Sequence, residues 1–231
     1  MVETLEAADL CISPLNTSCR SMPVTPQAIF IRTLLCCLTL LTVTLNLLVI
    51  ISISHFRQLH TPTNLILLSL AVSDLFVGLA VMPPAIISLQ SCGFLGKITC
   101  AFLYLLGFTL TSASVGNMVL ISVDRYVAIC DPLRYSSMIT PSRKSEMRAA
   151  RTLGITLLVF ILCLCPYYIN FLAGQNTTGS IASSAQNWLF YCNSMFNPLI
   201  YAFFYPWFRK AVKVIVSLQI LQAGSHEAKI M

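Results

Sequence analysis

Residues 64–83 read NLILLSLAVSDLFVGLAVMP, and Asp74 carries the only charged side chain among them. The apolar character continues to about residue 89, which gives the roughly 20 residues that a helix needs to cross a membrane. A charged side chain in the middle of such a helix is costly, and it is usually paired or functional. The stretch therefore predicts a transmembrane helix that holds a buried carboxylate.

The whole chain has the composition of a membrane protein. It has 231 residues, of which 57% are hydrophobic and 10% are charged, whereas a soluble domain usually has about 25% charged residues. Basic cytoplasmic loops explain the net charge of +6, so a nucleic-acid partner is not expected. We predict an all-α, polytopic transmembrane helix bundle with five spans, at about 31–54, 64–89, 97–126, 147–173 and 181–205.

Basic residues are unevenly distributed between the two sides of the predicted membrane. They lie in the loops after the first and third spans and in the C-terminal tail, whereas the other two loops contain only Lys97. Because Lys and Arg concentrate in cytoplasmic loops, the N-terminus is expected outside and the C-terminus inside. The first 29 residues show no basic start followed by an apolar core, so no cleavable signal peptide is expected. Glycosylation sequons at Asn16 and Asn176 would both lie outside.

This topology divides the chain into three regions: an extracellular N-terminus (1–29), a transmembrane domain (30–205), and an interfacial helix with a cytoplasmic tail (206–231). The interfacial helix is predicted from the stretch PWFRKAVKVIVSLQIL, which begins at residue 206. Its apolar and basic residues are spaced as in helices that lie in the membrane interface.

The ten cysteines do not form a recognisable metal site. Six lie in or beside apolar runs and are expected to be small buried hydrophobic side chains: Cys36, Cys37, Cys130, Cys163, Cys165 and Cys192. The other four lie outside the spans and could form disulfides if that side is oxidising: Cys11, Cys19, Cys92 and Cys100. The sequence has no Walker or dinucleotide glycine pattern and no Ser/His/acid set, so an enzyme is not expected.

Several polar residues in other spans are potential partners of Asp74: Asn46, Ser114, Asn117, Asn193, Ser194 and Asn197. Together they could form an oxygen-rich cluster suited to a small hard cation or a proton-coupled switch; a purely structural polar cluster is the alternative. At the cytoplasmic end of the third span, Arg125 could satisfy helix-terminal carbonyls or form a breakable ion pair with Asp124. Pro166 and Pro198 predict kinks. These features favour a conformational switch over a static pore.

Five motifs, in order along the chain, resemble those of rhodopsin-like (class A) G-protein-coupled receptors. LNLLVI at 45–50 resembles the first-helix asparagine motif, and NLILLSLAVSDLFVGLAVMP resembles the second helix. SVDRYVAICDPLRY resembles the end of the third helix, and CLCP at 163–166 resembles an altered sixth-helix Cys-Trp-x-Pro. NWLFYCNSMFNPLIYAFFYPWFRKA resembles the seventh helix continuing into the eighth. The C-terminal part, with KSEMRAARTLGI, most resembles the trace amine-associated receptors.

The resemblance implies roles for individual residues. The family's sodium pocket, the only cofactor-like site expected, is matched by Asp74, Ser114, Asn193 and Ser194. In the triplet Asp124-Arg125-Tyr126, Arg125 matches the arginine that contacts the G protein, and Glu146 matches the acid that binds this arginine in the inactive state. The remaining activation-switch positions are matched by Asn46, Phe160, Pro166, Asn197, Pro198 and Tyr201.

The resemblance skips a section of the family's sequence. After ITPSR at 139–143, the family has a fourth helix, an outer loop, a fifth helix and a long cytoplasmic loop, but Lys144 already resembles the end of that last loop. The seam, the junction between Arg143 and Lys144, therefore implies that the fourth and fifth helices are missing. One outward and one inward crossing are lost together, so the later helices keep their direction. An internal deletion, an exon-skipped isoform or a flawed gene model would each give this pattern.

The outer, ligand-binding side matches the family less well. Amine receptors usually bind the ammonium group with an aspartate seven residues after the third-helix cysteine, and counting from Cys100 gives Gly107. The toggle tryptophan is replaced by Leu164. An ammonium removed from water needs a carboxylate or an aromatic cage. Candidate aromatic residues for such a cage are Tyr167, Tyr168, Trp188 and Tyr191.

The function implied by the resemblance is transmembrane signal transduction by a trace-amine-receptor-like protein, impaired by the internal truncation. Its expected partners are a heterotrimeric G protein, a small amine or other small molecule, membrane lipid, and another receptor in a dimer. It is expected in the plasma membrane, or in the endoplasmic reticulum if it is retained there. One alternative is a non-signalling truncated receptor that associates with full-length receptors and retains them. Another is a small channel or transporter, which only Asp74 favours.

Overall fold

The computed structural model describes residues 25–88, 97–130, 154–166, 169, 181–222 and 225–227. These ranges contain no strand, and a π-helical segment (Val77–Val81) joins the second helix to the third. The helices are α1 (Pro26–His55), α2 (Pro62–Phe76), α3 (Met82–Ser88), α4 (Lys97–Cys130), α5 (Gly154–Pro166), α6 (Ile181–Phe204) and α7 (Pro206–Val216). Short 3-10 turns occupy Arg57–Leu59, Gln219–Leu221 and Ser225–Glu227. The predicted all-α helix bundle is confirmed.

The first two helices begin with the same two-residue signal. Thr25 and Thr61 are extended N-cap residues, and each is followed by a proline in the first helical turn. The Thr25 hydroxyl accepts a hydrogen bond from the Ala28 backbone N–H at 3.2 Å, and Thr61 does the same for Asn64 at 3.3 Å. The cap satisfies a free backbone donor, and proline costs nothing where no helical N–H bond exists. Thr-Pro therefore fixes where both helices start.

Three described helical stretches are long and apolar enough to cross a membrane. They are Pro26–His55, Pro62–Ile87 and Ala101–Asp124, with mean hydropathies of 2.6, 2.4 and 1.5. They correspond to the first three predicted spans. The chain is thus a multi-pass membrane protein.

The fourth and fifth predicted spans are represented by α5 and α6. Only 154–166 and residue 169 of the fourth span are described, and α5 is an apolar helix of less than spanning length. Helix α6 has 24 residues, but it is not among the stretches apolar enough by composition. Its asparagines lower the average, and Asn193 and Asn197 are buried inside the bundle. The predicted domain boundaries stay predictions.

The core of the bundle is formed where α1, α2, α4, α5 and α6 meet. Helix α1 packs against α2 and α6, and α2 packs against α4. The largest cluster of buried side chains contains Val49, Ile53, Leu67, Leu70, Ala71, Met118, Ile121, Phe160, Leu164, Tyr201 and Phe208. Gly78 marks a close approach of α1, because a Cβ atom there would lie 3.0 Å from Val43 Cγ2. Small residues permit such contacts between membrane helices.

The prediction that the six cysteines near apolar runs are buried is wrong for three of them. Cys36, Cys37 and Cys165 are exposed, whereas Cys163 is buried and Cys192 is half-buried. The exposed three lie on helix faces that point away from the bundle, where a thiol in a membrane would meet lipid. The side chain of Cys130 is not among those that the structure describes. The described residues contain no group of three or more His, Cys, Asp or Glu that could hold a metal ion.

Candidate functional site

Asp74 and Asn197 form the centre of a polar cluster inside the bundle. The Asp74 side chain has no exposed surface, and Asn197 is 2% exposed. The Asn197 Nδ2 donates a hydrogen bond to Asp74 Oδ2 at 2.8 Å. Ser194 and Ser114 lie near this carboxylate and are also buried, and the Ser114 hydroxyl donates to the Leu110 carbonyl at 3.1 Å. A charged acceptor makes such a bond stronger than an ordinary amide bond, so α2 and α6 are joined at this point.

Asn46 supplies a hydrogen bond that the proline of α6 removes. Because Pro198 has no N–H, the Ser194 carbonyl four residues earlier loses its helical donor. The Asn46 Nδ2 donates to this carbonyl at 3.0 Å and to the Thr42 carbonyl at 2.9 Å. Asn46 is fully buried. One amide group thus joins α1 to α6 at the position where the α6 backbone is interrupted.

Four buried polar atoms of this region have no hydrogen-bond partner among the described residues. They are Asn46 Oδ1, Asp74 Oδ1, Asn193 Oδ1 and the Tyr201 hydroxyl. Leaving such a group unpaired costs about 1–3 kcal/mol, which favours the binding of a further group. Carboxylate and amide oxygens are ligands that hard cations prefer. The residues matched to the sodium pocket therefore fit a small cation, and water would satisfy the same atoms.

Near the C-terminal end of α4, the structure pairs Asp124 with a residue that the sequence reasoning missed. The Thr63 hydroxyl donates a hydrogen bond to Asp124 Oδ2 at 2.7 Å. The sequence contained one signal for this contact. Thr63 directly follows Pro62 at the start of α2, the helix that packs beside Asp124. Tyr126 is 68% exposed. The side chain of Arg125 and all of Glu146 lie outside the description, so the two ion pairs expected of Arg125 stay predictions.

The switch residues of α5 and α6 lie in the main core. Phe160 is 8% exposed and Leu164 is 5% exposed, and both belong to the same buried cluster as Tyr201. Pro198 is buried inside α6. Pro166 is the last residue of the described helix α5. The chain therefore places a leucine, Leu164, in a packed position between the helices where the family resemblance implies a tryptophan.

Around the π-helical segment, three of the five predicted ligand residues come together, in what is called here the outer cluster because the predicted topology places it on the outer side. Trp188 and Tyr191 pack against a cluster of Val77, Val81 and Met82, and their ring centroids are 5.3 Å apart in an edge-to-face arrangement. A Cβ atom on Gly107 would lie 3.7 Å from Val81 Cγ1, so Gly107 faces the same cluster. The acidic residues of the described part are Asp74, Asp124 and Glu227, and none belongs to this group.

Several predicted features lie outside the described residues. These include both sequons, at Asn16 and Asn176, and the aromatic residues Tyr167 and Tyr168. The seam near 143–144 is also outside them. The same holds for Cys11, Cys19 and Cys92, and for the side chain of Cys100, so their disulfide pairing remains open.

The family model "7 transmembrane receptor (rhodopsin family)" matches residues 45–145 and 140–201 of this chain. These two matches cover more than half of the sequence. The chain therefore belongs to the rhodopsin family of seven-transmembrane receptors. The match is in two pieces that overlap at 140–145, the place where the sequence motifs indicate a seam.

Among curated proteins the chain is similar to trace amine-associated receptors. It is 29% identical to trace amine-associated receptor 7e of Rattus norvegicus, with 95% of this chain and 91% of the relative covered. It is 29% identical to receptor 13c of Danio rerio, with 96% of each covered, and 30% identical to receptor 9 of Mus musculus, with 94% and 93% covered. These relatives are receptors, which agrees with the expected absence of enzymatic activity.

The lengths of these alignments exceed the length of the chain. The alignment with the rat receptor spans 326 positions, whereas the chain has 231 residues. The relative therefore contains sequence, inside the aligned region, that has no counterpart here.

Proposed function

We propose that this chain is a trace-amine-receptor-like, G-protein-coupled membrane protein that retains its cytoplasmic switch and has lost its response to amines. The observation that carries the first part is the polar network of Asp74, Asn197 and Asn46. It joins three helices through buried hydrogen bonds at the interrupted backbone of α6. Such a network has to rearrange as a unit when α6 moves, because an unpaired buried polar group is costly.

In the proposed mechanism, movement of α6 at Pro198 changes the bonds of Asn46 and Asn197. Because α2 packs against α4, this movement also changes the contacts around the cytoplasmic end of α4. There Arg125 leaves Glu146 and becomes available to a heterotrimeric G protein. Asp124 is kept in place from the side of α2, because Thr63 donates to its carboxylate.

A sodium ion is the proposed occupant of the site around Asp74. Asp74, Ser114, Asn193 and Ser194 would hold it, and all four are at least nine-tenths buried. When bound, it would neutralise the buried carboxylate and favour the arrangement in which these helices stay together. The buried oxygen atoms of Asp74 and Asn193 that lack a partner among the described residues support this proposal.

The loss of the amine response is proposed from the absence of the fourth and fifth helices. Support comes from the two-piece family match and from alignments longer than the chain. The described part of the outer cluster around Gly107 is apolar and aromatic. A desolvated ammonium there lacks the carboxylate that would offset its dehydration.

The experiment is to express the chain with an epitope tag on the N-terminus. Surface delivery and G-protein activation are then measured with and without a panel of amines, beside a full-length trace amine receptor. We expect insertion in the membrane and no amine-dependent signal. Robust amine-dependent signalling from the cell surface would contradict the proposal. Placement of the N-terminus outside, and residence in the plasma membrane, are part of the same proposal.

A second candidate function is association with full-length receptors, which this chain would retain inside the cell. The observation in its favour is the exposed face of α4 at Ser112, Ala113 and Gly116. A Cβ atom on Gly116 would meet no atom within 4 Å, so a helix of a partner could approach closely. The partner would be a full-length receptor, since it has the sequence that this chain lacks. Co-expression should lower its surface level, and Gly116→Leu should abolish this effect.

A further inference from the structure

The C-terminal strap, defined as residues 217–222 and 225–227, folds back against the cytoplasmic end of α1. The chain reverses at Leu218, which is in the left-handed region with φ of 59°. This reversal directly follows α7, and the Leu218 N–H donates to the Ile215 carbonyl at 3.1 Å. A left-handed residue is a common way to end a helix, although it is usually glycine. The strap then reaches the turn Arg57–Leu59 through its own turn at Ser225–Glu227.

One hydrogen-bonded pair connects the strap to α1. The Ser225 hydroxyl donates to the Ile220 carbonyl at 2.7 Å, and Ser225 Oγ lies 2.9 Å from His55 Nε2. A serine hydroxyl has one proton, and Ile220 receives it. His55 Nε2 must therefore carry a proton and donate to Ser225. Both side chains are partly buried at this contact.

The turn next to His55 also carries the contact with Asp124. This first cytoplasmic turn, residues 56–64, is rigidly bonded: the Leu59 N–H donates to the Phe56 carbonyl at 2.9 Å, and the Asn64 side chain donates to the Leu59 carbonyl at 3.0 Å. Its far end presents Thr63 to Asp124. The strap is thus bonded to His55, directly before one short, hydrogen-bonded turn, and the switch segment of α4 is bonded to Thr63 at the other end of that turn.

We propose that the strap holds this turn in the conformation in which Thr63 binds Asp124, and thereby controls the switch segment from within the chain. The inference rests on the proposed role of Asp124 in the switch. Release of Ser225 from His55 would free the near end of the turn. The Thr63–Asp124 bond would then weaken, because coupling between two contacts through one element acts in both directions.

The test is amide hydrogen exchange of the full chain in lipid nanodiscs. Ser225→Ala should raise the exchange rates of Leu59, His60 and Thr61 by a factor of about 3 to 10, the effect of losing one ordinary hydrogen bond. Ser225→Thr keeps the hydroxyl and should leave these rates at the wild-type value. Ser217→Ala is the matched control, because the Ser217 hydroxyl bonds only locally, to the Val214 carbonyl.

The reciprocal variant is Thr63→Val, which removes the bond to Asp124 and keeps the side-chain volume. It should raise the exchange of Leu221 and Ser225 in the strap by the same factor. Faster exchange of the strap alone in Ser225→Ala, or no reciprocal effect of Thr63→Val, would overturn the inference. A chain that shows both effects but no G-protein activity would leave the inference standing and refute the proposed function.

Discussion

At the residue scale, two asparagines explain how this sequence tolerates a charge and a proline inside one membrane bundle. Asn197 satisfies one oxygen of Asp74, and Asn46 satisfies the carbonyl of Ser194. The Asp74 oxygen and the Ser194 carbonyl would each be costly if they were left unpaired in an apolar environment. The two bonds lie at neighbouring positions of α6, so the charge and the helix interruption are stabilised by the same local arrangement.

The link between Asn46 and Pro198 predicts a specific double-mutant result. Asn46→Ala leaves the Ser194 carbonyl without its donor, and it should lower the free energy of unfolding by about 1–3 kcal/mol. In the Pro198→Ala background the alanine N–H restores the helical bond, so the same substitution should cost much less. Thermal unfolding in detergent or nanodiscs measures all four proteins. Equal costs in both backgrounds would show that Asn46 does not replace the missing donor.

The sodium proposal predicts that Asp74 determines a cation effect on stability. At a sodium concentration about tenfold above the dissociation constant, binding should stabilise the wild type by about 1.4 kcal/mol relative to choline. Asp74→Asn should abolish this difference, because the neutral amide no longer attracts the ion. The Tm in sodium and in choline buffers gives the answer. Thr44→Val, on an exposed position of α1, is the control and should keep the sodium effect.

At the element scale, α7 is attached to the bundle by a few buried side chains. Phe208 is 2% exposed and Ala211 is fully buried, against Phe56 and Leu59 of the first cytoplasmic turn and the main core. Arg209 donates to the Phe203 carbonyl at 2.9 Å, which satisfies the end of α6. Helix α7 is therefore packed against the bundle, and its basic residues remain exposed.

The packing of α7 predicts different outcomes for two phenylalanines five residues apart. Phe208→Ala should destabilise the docked helix by about 3–5 kcal/mol, because it leaves a cavity in the core. Phe203→Ala should have little effect, since Phe203 is 74% exposed. Limited trypsin digestion at Arg209, Lys210 and Lys213 reports the detachment. Equal cleavage rates of the two variants would contradict the described packing.

The elements themselves were largely predictable from the sequence, and the individual contacts were not. Long apolar runs and the Thr-Pro caps specify where the first two helices lie. The partner of Asp74 could be narrowed to six polar residues, because charges in membranes seek polar neighbours. To identify Asn197 among these six, one has to know how each helix is rotated about its own axis, and the sequence does not show this. The contact of the strap with His55 was missed, because the hydrogen bond between His55 and Ser225 joins residues 170 positions apart.

At the scale of the whole molecule, the described side chains pack in separate clusters and not in one continuous core. The largest cluster, around Tyr201, connects α1, α2, α4, α5, α6 and α7. The outer cluster is smaller and contains Trp188 and Tyr191. Cysteines were mispredicted for a related reason. The sequence does not show which apolar face of a helix has a partner, and this depends on which helices the chain contains.

The topology predicts that both sequons are glycosylated in a eukaryotic membrane. Removal of N-glycans should shift the electrophoretic mobility by two glycans, and Asn16→Gln and Asn176→Gln should each remove one. The reason is that the predicted topology, in which one outward and one inward crossing are both missing, leaves residues 174–180 on the outer side. Thr178→Ala, which removes the sequon but keeps Asn176, is the matched control. A glycan at Asn16 but none at Asn176 would indicate that the loop 174–180 lies on the cytoplasmic side, which would contradict the predicted topology.

We propose that the switch around Arg125 is retained although the amine response is lost. Nucleotide exchange on a purified heterotrimeric G protein, catalysed by the chain in nanodiscs, tests this most directly. We expect nucleotide exchange that is faster than with the Arg125→Ala variant and that does not change when amines are added. An exchange rate that rises with amine, or one that equals that of Arg125→Ala, would contradict it.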